Sequence, residues 1–395
     1  MPKIYLDYAA ATPIDPKVLK TMMPYLKKEF GNASSIHAFG QRALSAIEDA
    51  RNIVANFLRC QPEEVYFTGS ATEADNLAIQ GIVKAAKSRI AKPHIITSAI
   101  EHHAVLEPCQ YLKKQGCEVT VLPVSKDGLV SLADLKKAVQ ENTVLVSVIY
   151  ANNEIGAIQP LAEIGKFLKQ SKTKIYFHTD AVQAVNYLDC NVDSLGVDLL
   201  TISAHKIYGP KGVGALYVRK GTAIEPMVYG GGHERGLRPG TENVAGIVGL
   251  GAAIKEVASP KNKIHNIRIR QLRDKLIKKI PKIISDIAIN GSLEKRLPNN
   301  INFTFPGAEG EALLVALDQK GFAVSTGSAC SSHSLEASHV LTALGLPEET
   351  AHSSLRITLG KYTNEKEIDI FVLALAKVVE RLREISGYKT KTNGK

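Results

Sequence analysis

The chain predicts an α/β fold, with a large domain built on a mostly parallel mixed sheet flanked by helices and a smaller α+β domain. Three observations carry this prediction. Short apolar runs that end in polar clusters alternate with stretches whose apolar residues recur at helical spacing, the pattern of strand–helix–strand units on a parallel sheet. A polar, helix-breaking stretch, Ala258-Ser259-Pro260-Lys261-Asn262-Lys263, interrupts the alternation. Beyond it the strands and helices follow a different order. The boundaries read as 15–258 for the large domain and 259–395 for the small one, with segment 1–14 packing on the latter.

Each element follows from local pattern. Val65-Tyr66-Phe67 reads as a buried strand that exits into Thr68-Gly69-Ser70-Ala71-Thr72-Glu73, and Leu77, Ala78, Ile82, Ala85 and Ala86 then mark a helix. His94-Ile95-Ile96-Thr97 leads to Glu101-His102-His103, and Val144 to Tyr150 leads to Ala151-Asn152-Asn153-Glu154. Leu161, Ile164 and Leu168 form the next helical stripe, before Ile175-Tyr176-Phe177 and its exit His178-Thr179-Asp180. Val197 to Ile202 ends in Ser203-Ala204-His205-Lys206. In the small domain a charged helix is expected over 264–280, with strands at Asn300 to Phe305, Phe322 to Thr326 and Leu355 to Leu359. Phe371, Leu375, Val378 and Leu382 mark a final helix. Ligands of parallel sheets bind at the carboxyl ends of the strands, so the polar clusters should converge on one site.

Bulk properties exclude several classes. The 395 residues are 45% hydrophobic, enough for a large core. No apolar run approaches the ~20 residues of a membrane helix, and the strand-like Ile4-Tyr5-Leu6-Asp7 begins too early for a signal or transit peptide. A cytoplasmic location is the expectation. The five cysteines, Cys60, Cys109, Cys117, Cys190 and Cys330, contain no C-x-x-C pair, so neither a disulfide framework nor a metal site is expected. The net charge of +10 gathers in lysines that interleave with isoleucine and leucine, the wet face of an amphipathic helix, and no direct nucleic-acid binding is expected.

The strand ends carry complementary chemistry. Lys206, at a rigid strand exit before a glycine-rich turn, reads as a Schiff-base lysine, because a partly desolvated primary amine is a nucleophile toward aldehydes. Ser70 and Glu73 have capping-box spacing; the free N–H groups of that helix start, beside Thr72, suit a phosphate, and a simple cap explains the spacing equally well. Ser203 and His205 could complete the cradle. Asp180 is placed to keep a pyridine nitrogen protonated, and His102 or His103 could stack on a ring and move protons. Lysine, phosphate cradle, carboxylate and imidazole together describe pyridoxal 5'-phosphate. Cys330 lies among small residues, Ser325-Thr326-Gly327-Ser328-Ala329-Cys330-Ser331-Ser332, which suits a swinging loop with a reactive thiol.

These motifs resemble the cysteine desulfurases of the NifS and IscS type, in the class V aminotransferase group of fold-type I pyridoxal-phosphate enzymes. The likeness runs from Tyr5-Leu6-Asp7-Tyr8-Ala9-Ala10 to Ser353–Gly360, and is most specific at Ala204 to Gly212 and Gly230 to Gly236. It implies that Lys206 carries the cofactor, Asp180 pairs with its ring nitrogen, Gln183 meets its phenolic oxygen and His102 stacks on the ring. Ala71, Thr72, Ser203 and His205 would line the phosphate, with Thr241 reaching over from the second subunit of a homodimer. Arg356, with Asn153, would grip the carboxylate of L-cysteine. Asn153 would also touch the cofactor. Cys330 would take up the sulfur as a persulfide, releasing L-alanine, and pass it to an acceptor protein of iron–sulfur assembly or tRNA thiolation. A selenocysteine lyase or a related class V aminotransferase is the alternative. The sequence departs from the family at Asn32-Ala33-Ser34-Ser35, where Asn-Pro-Ser-Ser is usual, and at Pro239, where serine is common.

Overall fold

A computed structural model describes residues 3–326 and 337–389. Among the described residues twelve strands run in chain order: β1 (Ile4–Tyr5), β2 (Val65–Thr68), β3 (His94–Ser98), β4 (Glu118–Leu122), β5 (Thr143–Ser147), β6 (Tyr176–Asp180), β7 (Leu199–Ser203), β8 (Gly214–Val218), β9 (Ala288–Ile289), β10 (Asn300–Thr304), β11 (Phe322–Ala323) and β12 (Ser354–Thr358). Seven of them form one sheet in the order β2-β8-β7-β6-β5-β3-β4. The pairs β7–β6, β6–β5, β5–β3 and β3–β4 are parallel, whereas β8 is antiparallel to both β2 and β7. β2 therefore runs with β7, and six of the seven strands point the same way. Thr68, Ser98, Ser147, Asp180 and Ser203 all end on one edge.

Period-2 alternation sends successive residues to opposite faces. Ile96, Val146, Leu200 and Tyr217 join one apolar core with the helices Ala38–Leu58 and Val244–Val257. Their neighbours Ile95, Leu145, Leu199 and Leu216 join another with the helices Ala71–Lys87 and His103–Lys114. Both faces are covered, as a largely parallel sheet requires. His178 pairs with Leu199 and Asp180 with Thr201, so both polar side chains fall on the face covered by the helix Ala71–Lys87.

A third core gathers Ile269, Leu276, Phe303, Leu355, Ile357, Phe371 and Leu375 around a three-stranded sheet, β12-β10-β9, and takes in Ile4 and Leu6 from the start of the chain. The long charged helix spans Pro260–Ile283, four residues earlier than expected. Ser259 caps it and Pro260 occupies its first turn, so the residues that read as a break are the helix's own start signal. The strand expected over 322–326 is shorter: β11 pairs with β1, and Ser325 makes a single bridge to Arg356.

From Asp7 to Asp15 the chain forms a strap across the sheet edge. Ala9 N–H donates to Thr358 Oγ1 at 2.9 Å. Thr12 Oγ1 donates to the His205 carbonyl at 2.8 Å and accepts from Tyr208 N–H at 2.7 Å. The strap thus touches both the segment carrying Lys206 and the strand carrying Arg356. Residues in the described part include no helix long and apolar enough to cross a membrane.

Candidate active site

The strand exits enclose a cavity of about 280 Å³. Ten sequence-predicted residues line it: Ala71, Thr72, His102, Asn153, Asp180, Gln183, Ser203, His205, Lys206 and Arg356. Thr241 does not reach it and is exposed. Cys330 lies outside the described residues. His102 lines the cavity whereas His103 does not; the His103 ring packs edge-on against His339 with centroids 4.9 Å apart.

One end of the cavity is built for an anion. Ser70 Oγ accepts from Glu73 N–H at 3.1 Å, capping the helix Ala71–Lys87. The expected capping box is only half made. The Glu73 carboxylate accepts from Gly69 N–H and Arg238 Nε, both at 2.7 Å, because the arginine across the turn offers it a charged partner. Ser203 Oγ and His205 Nδ1 are hydrogen-bonded at 2.9 Å. Burial first, then Lys206 and Lys211, push the His205 imidazole down to about 4, so it is neutral at ordinary pH. Gly214 lets β8 approach this helix start: a Cβ there would meet Ile202 O and Ser70 C at 2.8 Å. A helix N-terminus flanked by hydroxyls suits a phosphate.

The other end is acidic and dry. Burial pushes the Asp180 carboxyl up to about 7, and the neighbouring Asp75 adds to the effect; Val182 N–H, His178 and Lys206 act the other way. Asp75 is itself fully buried and lines the same cavity. The His178 Nε2 atom lies 3.4 Å from Asp75 Oδ1. Burial pushes Glu101 up to about 8, with Asp180 and Asp75 contributing. Clustered, desolvated carboxyls of this kind attract a cation. A basic ring nitrogen facing Asp180 meets that demand.

Between the two ends sit the amine and the imidazole. Lys206 Nζ donates to the carbonyls of Ala9 at 2.6 Å and Ala10 at 2.7 Å, and Gln183 Nε2 donates to the Ala9 carbonyl at 2.9 Å. His102 Nδ1 accepts from Ala104 N–H at 3.1 Å, which leaves the ring proton on Nε2. Burial, then Lys206, push this imidazole down to about 4. Arg356 stands opposite on β12. Its Nη2 donates to Asp7 Oδ1 at 2.8 Å and its Nη1 to the Asn153 carbonyl at 3.3 Å, while its buried Nε finds no acceptor among the described residues. Donor and acceptor sets of this kind fit a group with a phosphate at one end and a protonated pyridine at the other.

Sequence reasoning missed Asp75, Ala9 and Ala10. Asp75 was visible as an acid within a helical apolar stripe, but the two alanines act through carbonyls and carry no side-chain signal.

The model of the class V aminotransferase family matches residues 4–371. A cysteine desulfurase IscS of Dictyoglomus turgidum is 52% identical over 387 residues, covering 98% of this chain and 97% of that protein. Among solved structures, a NifS-like protein superposes with a TM-score of 0.90 at 37% identity, covering 96% of this chain and all of the other. SspA in complex with cysteine superposes with a TM-score of 0.80 at 38% identity, covering 91% and 100%. Family-wide match, near-full-length identity and superposition agree: the chain belongs to the class V aminotransferases, among the NifS/IscS-type cysteine desulfurases.

Proposed function

We propose that the protein is a pyridoxal 5'-phosphate-dependent cysteine desulfurase that converts L-cysteine to L-alanine and captures the sulfur on Cys330. The observation that carries this reading is that Lys206, Asp180, His102 and Arg356, drawn from four separate parts of the sequence, line one cavity. When bound, pyridoxal phosphate supplies an aldehyde and an electron-withdrawing ring. Ser203, His205, Thr72 and Ala71 would hold its phosphate at the helix N-terminus. Asp180 would keep a proton on the ring nitrogen, a cationic partner that a buried carboxylate needs in order to stay charged. Gln183 and His102, which line the same cavity, would contact the phenolic oxygen and the face of the ring.

Arg356 binds the substrate carboxylate with its planar fork, with Asn153 beside it. Lys206 Nζ, held by two carbonyls, moves protons at the substrate's α-carbon. Cys330 Sγ, as thiolate, attacks the substrate sulfur: an S–S bond forms, the Cβ–S bond breaks, and its electron pair stays with the carbon skeleton that leaves as alanine. The persulfide then passes to an acceptor protein of iron–sulfur assembly or tRNA thiolation. We also assign the domain boundaries 15–258 and 259–395, a homodimer in which Thr241 serves the neighbouring site, and a cytoplasmic location.

The test is Cys330→Ala. Reconstituted with cofactor, this variant keeps the visible absorption of the wild type and still binds L-cysteine, yet releases no sulfide in the presence of a reductant. Normal sulfide release by the variant overturns the assignment of Cys330; product analysis with selenocysteine and with keto acids separates the related lyase and aminotransferase activities.

A further inference from the structure

Arg356 is 3% exposed, and a guanidinium so placed needs a counter-charge. Asp7 provides it. Strand pairing puts the carboxylate there. Thr358 N–H donates to the Leu6 carbonyl at 2.8 Å, Tyr8 N–H donates to the Thr358 carbonyl at 3.4 Å, and Asp7 between them forms a parallel bridge with Thr358. Arg356 lies two residues back along β12, so it shares a sheet face with Thr358. Tyr5 OH lies 2.9 Å from the carbonyls of both Asp7 and Ala11, which share its single proton, and tightens this turn from the outside.

The contact occupies one arm of the guanidinium. Nη2 meets Asp7, Nη1 meets a backbone carbonyl, and buried Nε meets no acceptor among the described residues. A side chain with five N–H donors, lining the cavity, is thus left short of acceptors among the described residues. An incoming α-carboxylate offers two. It also brings a second negative charge to a guanidinium already balanced by one, and like charges that share a partner oppose each other.

Resting on the reading of Arg356 as the substrate-carboxylate site, we propose that Asp7 is a specificity-determining residue: a resident carboxylate that balances Arg356 in the empty site and against which the substrate's carboxylate competes. Asp7 keeps the buried cation in place between turnovers. It also weakens every carboxylate ligand, so that binding through Arg356 alone does not hold a product or a simple organic acid.

Asp7→Asn separates charge from anchoring, because the amide oxygen still accepts from Nη2 and the charge is gone. Asp7→Ala removes both. On reconstituted holo-protein, the KM for L-cysteine and the calorimetric dissociation constant of L-alanine are measured for each. The Asn variant is expected to lower both by roughly three- to tenfold, and the Ala variant to raise both. L-alanine amide, which has no carboxylate, is expected to bind the Asn variant and the wild type alike. If the Asn variant raises both constants as the Ala variant does, or leaves them where they were, Asp7 is an anchor and the proposal fails. Asp7→Ser, with an uncharged acceptor, serves if the Asn variant does not fold. Arg356→Lys keeps the two readings apart. If it leaves L-alanine binding unaltered, the assignment of Arg356 fails; if it weakens binding while Asp7→Asn brings no tightening, only the role of Asp7 does.

Discussion

Removing the Glu234 carboxylate should cost about 3–5 kcal/mol of stability. Glu234 Oε1 and Oε2 accept from Arg51 Nη2 and Nη1, both at 2.8 Å, and Oε2 also accepts from Phe67 N–H at 2.8 Å. Both side chains are nearly sealed from solvent, at 4% and 3% exposure. In Glu234→Ala the guanidinium keeps Glu48 on Nε at 3.1 Å and the Val65 carbonyl on Nη1, so part of its charge stays compensated. The orphaned Phe67 N–H adds about 1–3 kcal/mol of its own, and the two losses overlap because they share one carboxylate. The pair also fixes a strained turn: Glu234 and its neighbour Arg235 sit at φ 46° and 55°, the left-handed region that side chains avoid. The assay is equilibrium denaturation of the cofactor-loaded protein at fixed concentration, comparing Glu234→Ala, Arg51→Met and the double variant. We expect the double variant to lose less than the sum of the singles, because the uncompensated charge is gone. A loss below about 1 kcal/mol in Glu234→Ala would refute the reasoning, since a buried guanidinium that loses its bidentate partner and a buried N–H that loses its acceptor cannot together cost so little.

The cofactor-free protein should lose thermal stability as pH rises from 6.5 to 8. Burial raises Asp75, Glu154 and Asp180 to about 7 and Glu101 to about 8. Raised acids favour the fold fully below their ordinary values and lose that contribution as pH climbs through the folded ones. The lowered His102, His178 and His205 act in the opposite sense, but only below 6.5. Differential scanning of cofactor-free and loaded protein checks this; a flat profile for the cofactor-free form sinks it, and loading should flatten the slope by giving Asp180 a cationic partner. For the dimer, mixing inactive Lys206→Ala and Thr241→Val subunits under exchange conditions should restore activity in hybrid sites that hold both wild-type residues. Failure of exchanged hybrids to gain activity places Thr241 at its own subunit's site.

Much of the site was legible because buried parallel strands read as unbroken apolar runs with an abrupt polar end. Ile95-Ile96 and Val144 to Val146 left no doubt about direction, and the rule that ligands gather at strand exits did the rest. β4, with the sequence Glu-Val-Thr-Val-Leu and four of its five residues reaching solvent, lacks that signature and went unread. So did β8, whose antiparallel course follows directly from a glycine turn. Asp7 was quoted in a motif without a task, since its partner is 349 residues away and no local period links them. Thr241 belongs to the family likeness rather than to the geometry of one subunit, where it faces solvent.

The strap from Asp7 to Asp15 ties its residues to partners made much later in synthesis, Ala9 and Thr358 being 349 positions apart. Ile4 pairs with Phe322, and Ala9 N–H reaches Thr358. At about 5–20 residues per second, the ribosome needs on the order of 20–70 s to supply those partners. Until then Lys206 has its loop but neither the carbonyls of Ala9 and Ala10 in place nor Arg356 opposite. The cavity walls are therefore complete only once β12 has emerged, and a nascent chain stalled before β12 would leave Lys206 in a half-walled cleft.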